Sequence, residues 1–289
     1  MFFGFSLPNA SPSLLLGGFA APIPKWQFVD RRFERLFMNM QYTQAQIEDY
    51  RTKLSGLERC LNANYWPFKQ PNEISFIVVG SWIKNTPVRN CSDIDVLYLL
   101  PYSTYGQFTN RVGNVQSALL QEIRQVLLPS YPTTDIKGDG PTVVIDFSTV
   151  KVEIAPAFLD PTGSNIVSDP NFKTFVCHTR DGGSYSLSAS IAEAQYMAKV
   201  DHESRGQLVP LMKMLKIWKK QCNVPVKTIA LQMMAERFVK HWFHRNAQYY
   251  WPDWQVRDFF GYMVSQKNKT DVFPVTGEVL QFGDRWLRA

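Results

Sequence analysis

The 289-residue chain is long enough to bury a substantial core, as one large domain or as two smaller lobes. Hydrophobic residues make up 45% of it and charged residues 19%, which is typical of folded proteins and excludes a disordered chain. The net charge of +6 indicates a mild attraction for polyanions, which small anions such as nucleoside triphosphates satisfy as well as nucleic acid does. We predict two lobes that share a cleft.

Cysteine usage and hydropathy exclude further classes. The four cysteines are scattered singly, with no CxxC pair for a zinc site, so we expect free thiols in a reducing cytoplasm. No apolar run approaches the roughly 18 residues of a membrane span, and the apolar stretch LPNASPSLLLGGFAAPIP lacks the basic segment of a signal peptide. We therefore predict a soluble cytoplasmic protein in which residues 1–39 form a flexible N-terminal extension.

The first regular elements alternate between helix and strand. From Thr43 onward, apolar residues recur at helical spacing and predict an amphipathic helix packed on a neighbour. The β-branched run ISFIVVG then predicts a strand that ends at Gly80 and Ser81. A polar loop leads to a second predicted strand, DIDVLYLLP. The order is helix, strand, loop, strand.

The middle of the chain completes a sheet. Residues 108–128 again show helical periodicity and are expected to cover one face of it. TVVIDF and VKVEIAPAF follow, and their short connection predicts a hairpin. The Gly-, Ser-, Pro- and Asp-rich stretch over 160–188 is interpreted as a crossing between lobes with a loop over the cleft. Helical patterns then occupy 191–200, 208–221 and 228–243. This organisation predicts lobes at 40–160 and 161–289.

Two carboxylates two residues apart on a predicted strand indicate a site for divalent ions. Asp93 and Asp95 lie at i and i+2 of the second strand, so their side chains leave the same face and repel each other unless cations lie between them. Hard divalent ions such as Mg²⁺ favour oxygen ligands, and paired ions serve phosphoryl transfer. Twelve residues before Asp93, the turn at Gly80 and Ser81 offers a backbone amide and a hydroxyl to phosphate oxygens. A third carboxylate is expected from the hairpin, which offers Asp146 on one arm and Glu153 on the other.

These motifs carry a family resemblance. GS, a loop and SDIDV resemble the nucleotidyltransferases of the DNA polymerase β superfamily, and VEIAPAF resembles an element of the cyclic GMP-AMP synthase/DncV-like nucleotidyltransferases (CD-NTases). The resemblance implies an α+β fold, with a polymerase β-like catalytic lobe of mixed sheet and helices and an α-helical lobe closing the nucleotide cleft. It also selects Glu153 as the third carboxylate, where the family usually has Asp.

Further site residues follow from the same resemblance. LVPLMKMLKIWKK resembles the helix whose lysine reaches the triphosphate, which implies Lys216 and leaves Lys213, one turn earlier, as its rival. VKTIALQMMAE resembles the element that supplies a hydroxyl near the nucleotide, which implies Thr228. The resemblance thus assigns Asp93, Asp95 and Glu153 to catalysis and metal binding, and it assigns Gly80, Ser81, Lys216 and Thr228 to the nucleotide.

The implied activity is template-independent joining of NTPs, with Mg²⁺ or Mn²⁺, into a cyclic di- or trinucleotide. The family implies antiphage signalling (CBASS), in which the product activates a downstream effector. Two alternatives remain open: an enzyme that forms linear products or modifies another substrate, and a catalytically inactive nucleotide sensor. Because no apolar run is long enough to span a membrane, we expect no membrane partner. Because the basic residues are spread along the chain, without a Cys or His cluster, we expect no obligatory nucleic-acid activator.

Overall fold

The computed structural model describes residues 27–70, 73–178, 183–277 and 279–283. Its helices are α1 (Gln27–Met40), α2 (Gln44–Tyr65), α3 (Gly80–Ile83), α4 (Tyr102–Thr109), α5 (Val115–Leu127), α6 (Ser190–Glu203), α7 (Leu208–Gln221), α8 (Thr228–His241) and α9 (Pro252–Ser265). Its strands are β1 (Phe76–Val78), β2 (Ile94–Leu99), β3 (Asp135–Asp139), β4 (Thr142–Asp146), β5 (Lys151–Leu159), β6 (Thr174–His178), β7 (Ser184–Ser188), β8 (Thr270–Val272) and β9 (Val279–Gln281).

A mixed sheet organises the first lobe. Its order is β1-β2-β5-β4-β3, in which β2 and β5 run parallel and the other neighbours are antiparallel. Beyond its pairing with β4, β5 continues alongside β6, and β7 pairs with β6 at the edge. The long strand β5 therefore lies in the middle of the sheet, with β2 beside it along most of its length.

Alternation along β2 and β5 separates a core face from a polar face. Ile94, Val96, Val152 and Ile154 are buried in a core that also contains side chains of α2 and α5. Side chains at the intervening positions leave the opposite face, because successive residues of a strand alternate. That opposite face carries Asp95 and Glu153 near one end and a smaller apolar cluster further along.

Helix α2 is specified as the sequence predicts. The Thr43 hydroxyl accepts a hydrogen bond from the Gln46 amide, and the Gln46 side chain accepts one from the Thr43 amide, which forms a capping box. Tyr50, Leu54, Leu57 and Leu61 form its buried stripe. The predicted helix over 108–128 is instead two helices, α4 and α5. The break contains Gly113 at φ 97°, and the Asn114 side chain caps α5 by accepting from the Ser117 amide.

The second lobe is helical, with a separate core built by α6, α7, α8 and α9. Helix α1 joins this core through Phe33, Leu36 and Phe37. The flexible extension predicted over 1–39 is therefore corrected from Gln27 onward, where the chain is helical because these apolar residues find a partner; residues 1–26 lie outside the described part of the chain.

The boundary between the lobes also differs from the predicted one. The segment over 160–188 is predicted to be a crossing loop, but β6 and β7 extend the mixed sheet within it. The polar composition of β7 concealed this hairpin, since β7 is an exposed edge strand and needs no apolar face. The helical lobe begins at α6 rather than at residue 161.

Candidate active site

Three carboxylates meet where β2 and β5 begin. Asp95 and Glu153 are directly opposite each other in the parallel pairing of β2 with β5, so their side chains leave the same face. Asp93 precedes β2, two residues before Asp95, and therefore belongs to that face as well. The Trp82 indole nitrogen donates to the Asp93 carbonyl oxygen at 3.1 Å, which fixes the backbone there. The structure thus brings together the residues predicted to be catalytic.

The turn after β1 lies against Asp95. Gly80 has φ 61°, and a Cβ added to it would lie 1.8 Å from Asp95 Oδ2. The Asp95 carboxylate also accepts a hydrogen bond from the Ser81 backbone amide. Only glycine combines the left-handed conformation with this close approach. The turn therefore orients Asp95, and the contact of Gly80 and Ser81 with phosphate oxygens stays a prediction.

Electrostatics at Asp95 favour a bound cation. Burial, followed by the neighbouring charges of Glu153 and Asp93, raises the pKa of Asp95 to about 6. A carboxyl group whose ionised form is opposed by burial and by two like charges gains most from a cation close by. The three carboxylates offer only oxygen atoms as ligands, which fits a hard divalent ion such as Mg²⁺.

Lys151 was not identified from the sequence, and it lies between two of these carboxylates. Its Nζ is 2.8 Å from Asp93 Oδ2 and 2.7 Å from Glu153 Oε1. Hydrogen bonds to Asp93 and then to Glu153 raise the pKa of Lys151, which keeps it an ammonium. A sequence clue was available, because residues 151 and 153 alternate onto the same face of one strand.

The carboxylates are divided between different partners. Asp93 and Glu153 contact the Lys151 ammonium, whereas Asp95 turns toward Gly80 and Ser81. As they are arranged, the described residues include no group of three His, Cys, Asp or Glu side chains ready to hold a metal ion. The donor chemistry fits a divalent ion, and the Lys151 ammonium lies between two of the three carboxylates.

Lys216 of α7 lies beside the same turn. Its Nζ donates to the Thr86 carbonyl oxygen at 2.8 Å and lies 3.0 Å from the Thr86 hydroxyl, and the Thr86 amide in turn donates to the Ser81 carbonyl oxygen. Burial and the nearby Lys84 lower the pKa of Lys216 to about 7. Lys213, its rival, is buried near Asp201. Lys216 therefore joins the helical lobe to the Ser81 turn.

The remaining predicted residues lie further out. Thr228 begins α8, and its exposed hydroxyl accepts a hydrogen bond from Lys219 Nζ at 3.0 Å, which places it at the turn between α7 and α8. Asp146, the alternative third carboxylate, ends β4 directly opposite Lys151 and is exposed. It is thus separated from Asp93 and Glu153 by the lysine.

A second connection between the lobes was not predicted. Lys84, which follows α3, donates to Glu193 of α6 at 2.7 Å and to the Gln232 side chain of α8 at 3.3 Å. Gln232 in turn donates to Glu236 at 2.8 Å, and both of these side chains are buried. Such contacts between distant parts of the sequence leave no periodic pattern.

A cavity of about 660 Å³ lies beside Lys84, between α3 and α6. Asp93, Asp95 and Glu153 do not line this cavity.

Comparisons with known proteins identify the family and the fold of this chain. A family model described as Second Messenger Oligonucleotide or Dinucleotide Synthetase domain matches residues 28–182, which is more than half of the chain. No curated protein matches the chain.

None of the described helices is long and apolar enough to cross a membrane.

Solved structures share the fold at low sequence identity. CdnC of E. coli MS115-1, in its complex with HORMA-deltaN, has a TM-score of 0.61 and 16% identity over 87% of this chain and 75% of that chain. A STING-associated CdnE c-di-GMP synthase from Capnocytophaga granulosa has a TM-score of 0.57 and 14% identity over 84% and 79%. The predicted α+β class, with a polymerase β-like lobe and a helical lobe, is thereby confirmed.

Proposed function

The chain belongs to the Second Messenger Oligonucleotide or Dinucleotide Synthetase family of CD-NTase nucleotidyltransferases, and from this premise we propose that it joins NTPs into a cyclic di- or trinucleotide. The observation that carries the proposal is the convergence of Asp93, Asp95 and Glu153 on one face of the parallel pair β2 and β5, beside the Gly80 turn. An acidic cluster against a glycine turn suits transfer of a nucleotidyl group from a triphosphate.

Each residue has a distinct part in the proposed reaction. Asp93 and Asp95 would hold both divalent ions, Mg²⁺ or Mn²⁺, and Glu153 would complete the site that faces the acceptor hydroxyl. Bound ions would supply activation of that hydroxyl and charge stabilisation for the departing pyrophosphate. Ser81 presents its hydroxyl to the triphosphate, and Lys216 adds positive charge behind the same turn. Thr228 is proposed as a further hydroxyl at the nucleotide.

Products from defined NTPs test the proposal. Purified protein is incubated with all four labelled NTPs and Mg²⁺ or Mn²⁺, and the products are identified by mass before and after phosphatase treatment. A phosphatase-resistant cyclic product is expected, with one pyrophosphate released for each bond formed. Asp95→Asn is the matched control, because it removes the charge of the central carboxylate and preserves its shape.

The alternatives give different results in the same assay. Phosphatase-sensitive oligomers would identify an enzyme that forms linear products, and transfer only to an added acceptor would identify a substrate-modifying enzyme. Tight nucleotide binding without pyrophosphate release would identify an inactive sensor. A cyclic product would further support a signalling role, in which the nucleotide activates an effector in antiphage defence.

Turnover is proposed to proceed without a nucleic-acid activator. Lysines and arginines are spread along the chain, and three lysines treated above are paired with protein groups: Lys84, Lys151 and Lys219. Turnover is measured with and without duplex DNA or RNA, at low and high salt. Strong salt-sensitive stimulation by a duplex contradicts this part of the proposal.

A further inference from the structure

Lys151 lies in a row of charged residues that crosses the sheet. Asp135 of β3 is opposite Asp146 of β4, and Asp146 is opposite Lys151 of β5. On the other side of Lys151, the pairing of Ile94 with Val152 places Asp93 level with the lysine. Residues opposite each other on neighbouring strands leave the same face, so Lys151 has an acidic residue on each side.

The Lys151 ammonium contacts the carboxylates on the β2 side of the row and leaves Asp146, on the β4 side, without an ion pair among the described residues. Its two ion pairs, at 2.8 and 2.7 Å, go to Asp93 and Glu153. Asp146 is exposed and forms no ion pair within the part of the chain that the structure describes. Opposite residues of an antiparallel pair have Cβ atoms about 5 Å apart, which the flexible four-carbon stem of lysine spans easily. A short rotation of the stem would bring Lys151 to Asp146.

A divalent ion needs the same oxygen atoms. Mg²⁺ binds carboxylate oxygens at about 2.0–2.1 Å, closer than the ammonium approaches, so both cations cannot lie between Asp93 and Glu153 at once. We infer that Lys151 is a built-in competitor for the divalent-ion site and passes to Asp146 when metal binds. This inference rests on the proposed function, and it makes Lys151 a positioning residue that sets the metal concentration at which the site assembles.

The exchange has opposite consequences for two neighbouring variants. Lys151→Gln removes the competing charge but keeps most of the side-chain length, so Mn²⁺ is expected to bind about tenfold more tightly. Asp146→Asn removes the partner that receives Lys151, so Mn²⁺ is expected to bind about threefold more weakly. Lys151→Arg keeps the positive charge and is expected not to bind Mn²⁺ more tightly than the wild type does.

Direct Mn²⁺ titration of the full chain without nucleotide tests the inference, with free Mn²⁺ measured by its electron paramagnetic resonance signal. Lys199→Gln is the matched control, because Lys199 is an exposed lysine of α6 paired with Glu203, and its removal changes the net charge equally. It is expected to bind as the wild type does. Thermal unfolding in chelator, where Lys151→Gln should be less stable because its carboxylates lose their counter-ion, provides a second readout.

The outcomes separate this inference from the proposed function. Tighter binding by Lys151→Gln and weaker binding by Asp146→Asn support the exchange. Equal or weaker binding by Lys151→Gln overturns it and would mean that the lysine orients the carboxylates instead. An unchanged affinity in Asp146→Asn removes Asp146 as the receiving partner. If neither the wild type nor Lys151→Gln binds Mn²⁺, both the inference and the two-metal mechanism fail.

Discussion

Asp95 and Glu153 lie directly opposite each other on the parallel strands β2 and β5, and this like-charged pair contributes to the raised pKa of Asp95. Parallel neighbours hold this relationship rigidly, because each strand is fixed by further pairing on its other side. The site therefore opposes the ionisation of its central carboxyl until a cation approaches. Burial and repulsion at Asp95 lower the stability of the folded protein, and a bound cation would offset both effects.

Asp95→Asn is expected to lower turnover at least about a thousandfold, since a metal ligand supplies several kcal/mol of transition-state stabilisation. The same variant should raise the melting temperature in chelator at pH 7.5, because it removes a half-buried charge that two carboxylates repel. Pyrophosphate release and thermal unfolding measure the two effects. A loss of only tenfold would make Asp95 peripheral.

Glu153→Asp is expected to retain turnover, with a changed preference between Mg²⁺ and Mn²⁺, whereas Glu153→Gln should lose it. Charge is required at this position, and the shorter Asp side chain alters the reach to the metal. Asp146→Asn, one strand away, is the control and should keep its turnover at saturating metal. If Asp146→Asn is inactive and Glu153→Gln is active, the third carboxylate has been assigned to the wrong arm of the hairpin.

Gly80→Ala is expected to abolish measurable turnover in a protein that still folds. The new Cβ would lie 1.8 Å from Asp95 Oδ2, and φ 61° is strained for alanine, so the turn or the carboxylate must move. Gly261→Ala provides a matched control, because a Cβ added there, on α9, meets nothing within 4 Å. Turnover and circular dichroism are compared in both variants, and normal turnover in Gly80→Ala would show that the turn adapts.

Local sequence patterns predicted the parts of the fold that depend on them. Alternation along β2 and β5, together with the short connection between β4 and β5, was sufficient to predict the polar face and the hairpin. The edge hairpin of β6 and β7 was missed, since exposed edge strands lack the apolar alternation that identifies a buried strand. The break before α5 was missed because residues 108–128 keep a helical period across it.

The site was predictable where its residues are close in sequence. Gly80, Ser81, Asp93 and Asp95 occur in one short segment, and Glu153 required the family resemblance. Lys151 was visible only as a neighbour of Glu153, and its ion pair with Asp93 depends on strand pairing. The contacts of Lys84 with α6 and α8 connect residues more than a hundred positions apart, which a single sequence does not encode as a pattern.

Lys216→Met is expected to lower kcat/KM for ATP by roughly tenfold to a hundredfold, because a charge-assisted contact contributes about 1.5–3 kcal/mol. Lys213→Met is the comparison, since Lys213 lies near Asp201 rather than at the Ser81 turn. It should change turnover by less than about threefold while altering stability. Steady-state kinetics for both variants decide which lysine serves the triphosphate, and the reverse pattern would assign that role to Lys213.

The stability of the protein is expected to fall as the pH rises from about 4.5 to about 7, because of Glu236. This side chain is 2% exposed, and burial raises its pKa to about 7 against the opposing effects of Gln232 and Lys84. The folded protein therefore retains a proton between about pH 4.5 and 7 that the unfolded chain releases, so the stabilisation is complete at low pH and is lost above pH 7.

Glu236→Gln keeps the oxygen that accepts the hydrogen bond from Gln232 but cannot ionise. We expect its unfolding free energy to exceed that of the wild type by less than about 1 kcal/mol near pH 5 and by about 2–3 kcal/mol at pH 8.5. Chemical denaturation at both pH values measures the difference, with the exposed Glu203→Gln as a control that should show no such dependence on pH. An equal difference at pH 5 and pH 8.5 would mean that Glu236 stays ionised in the folded protein, stabilised by Lys84 and Lys240.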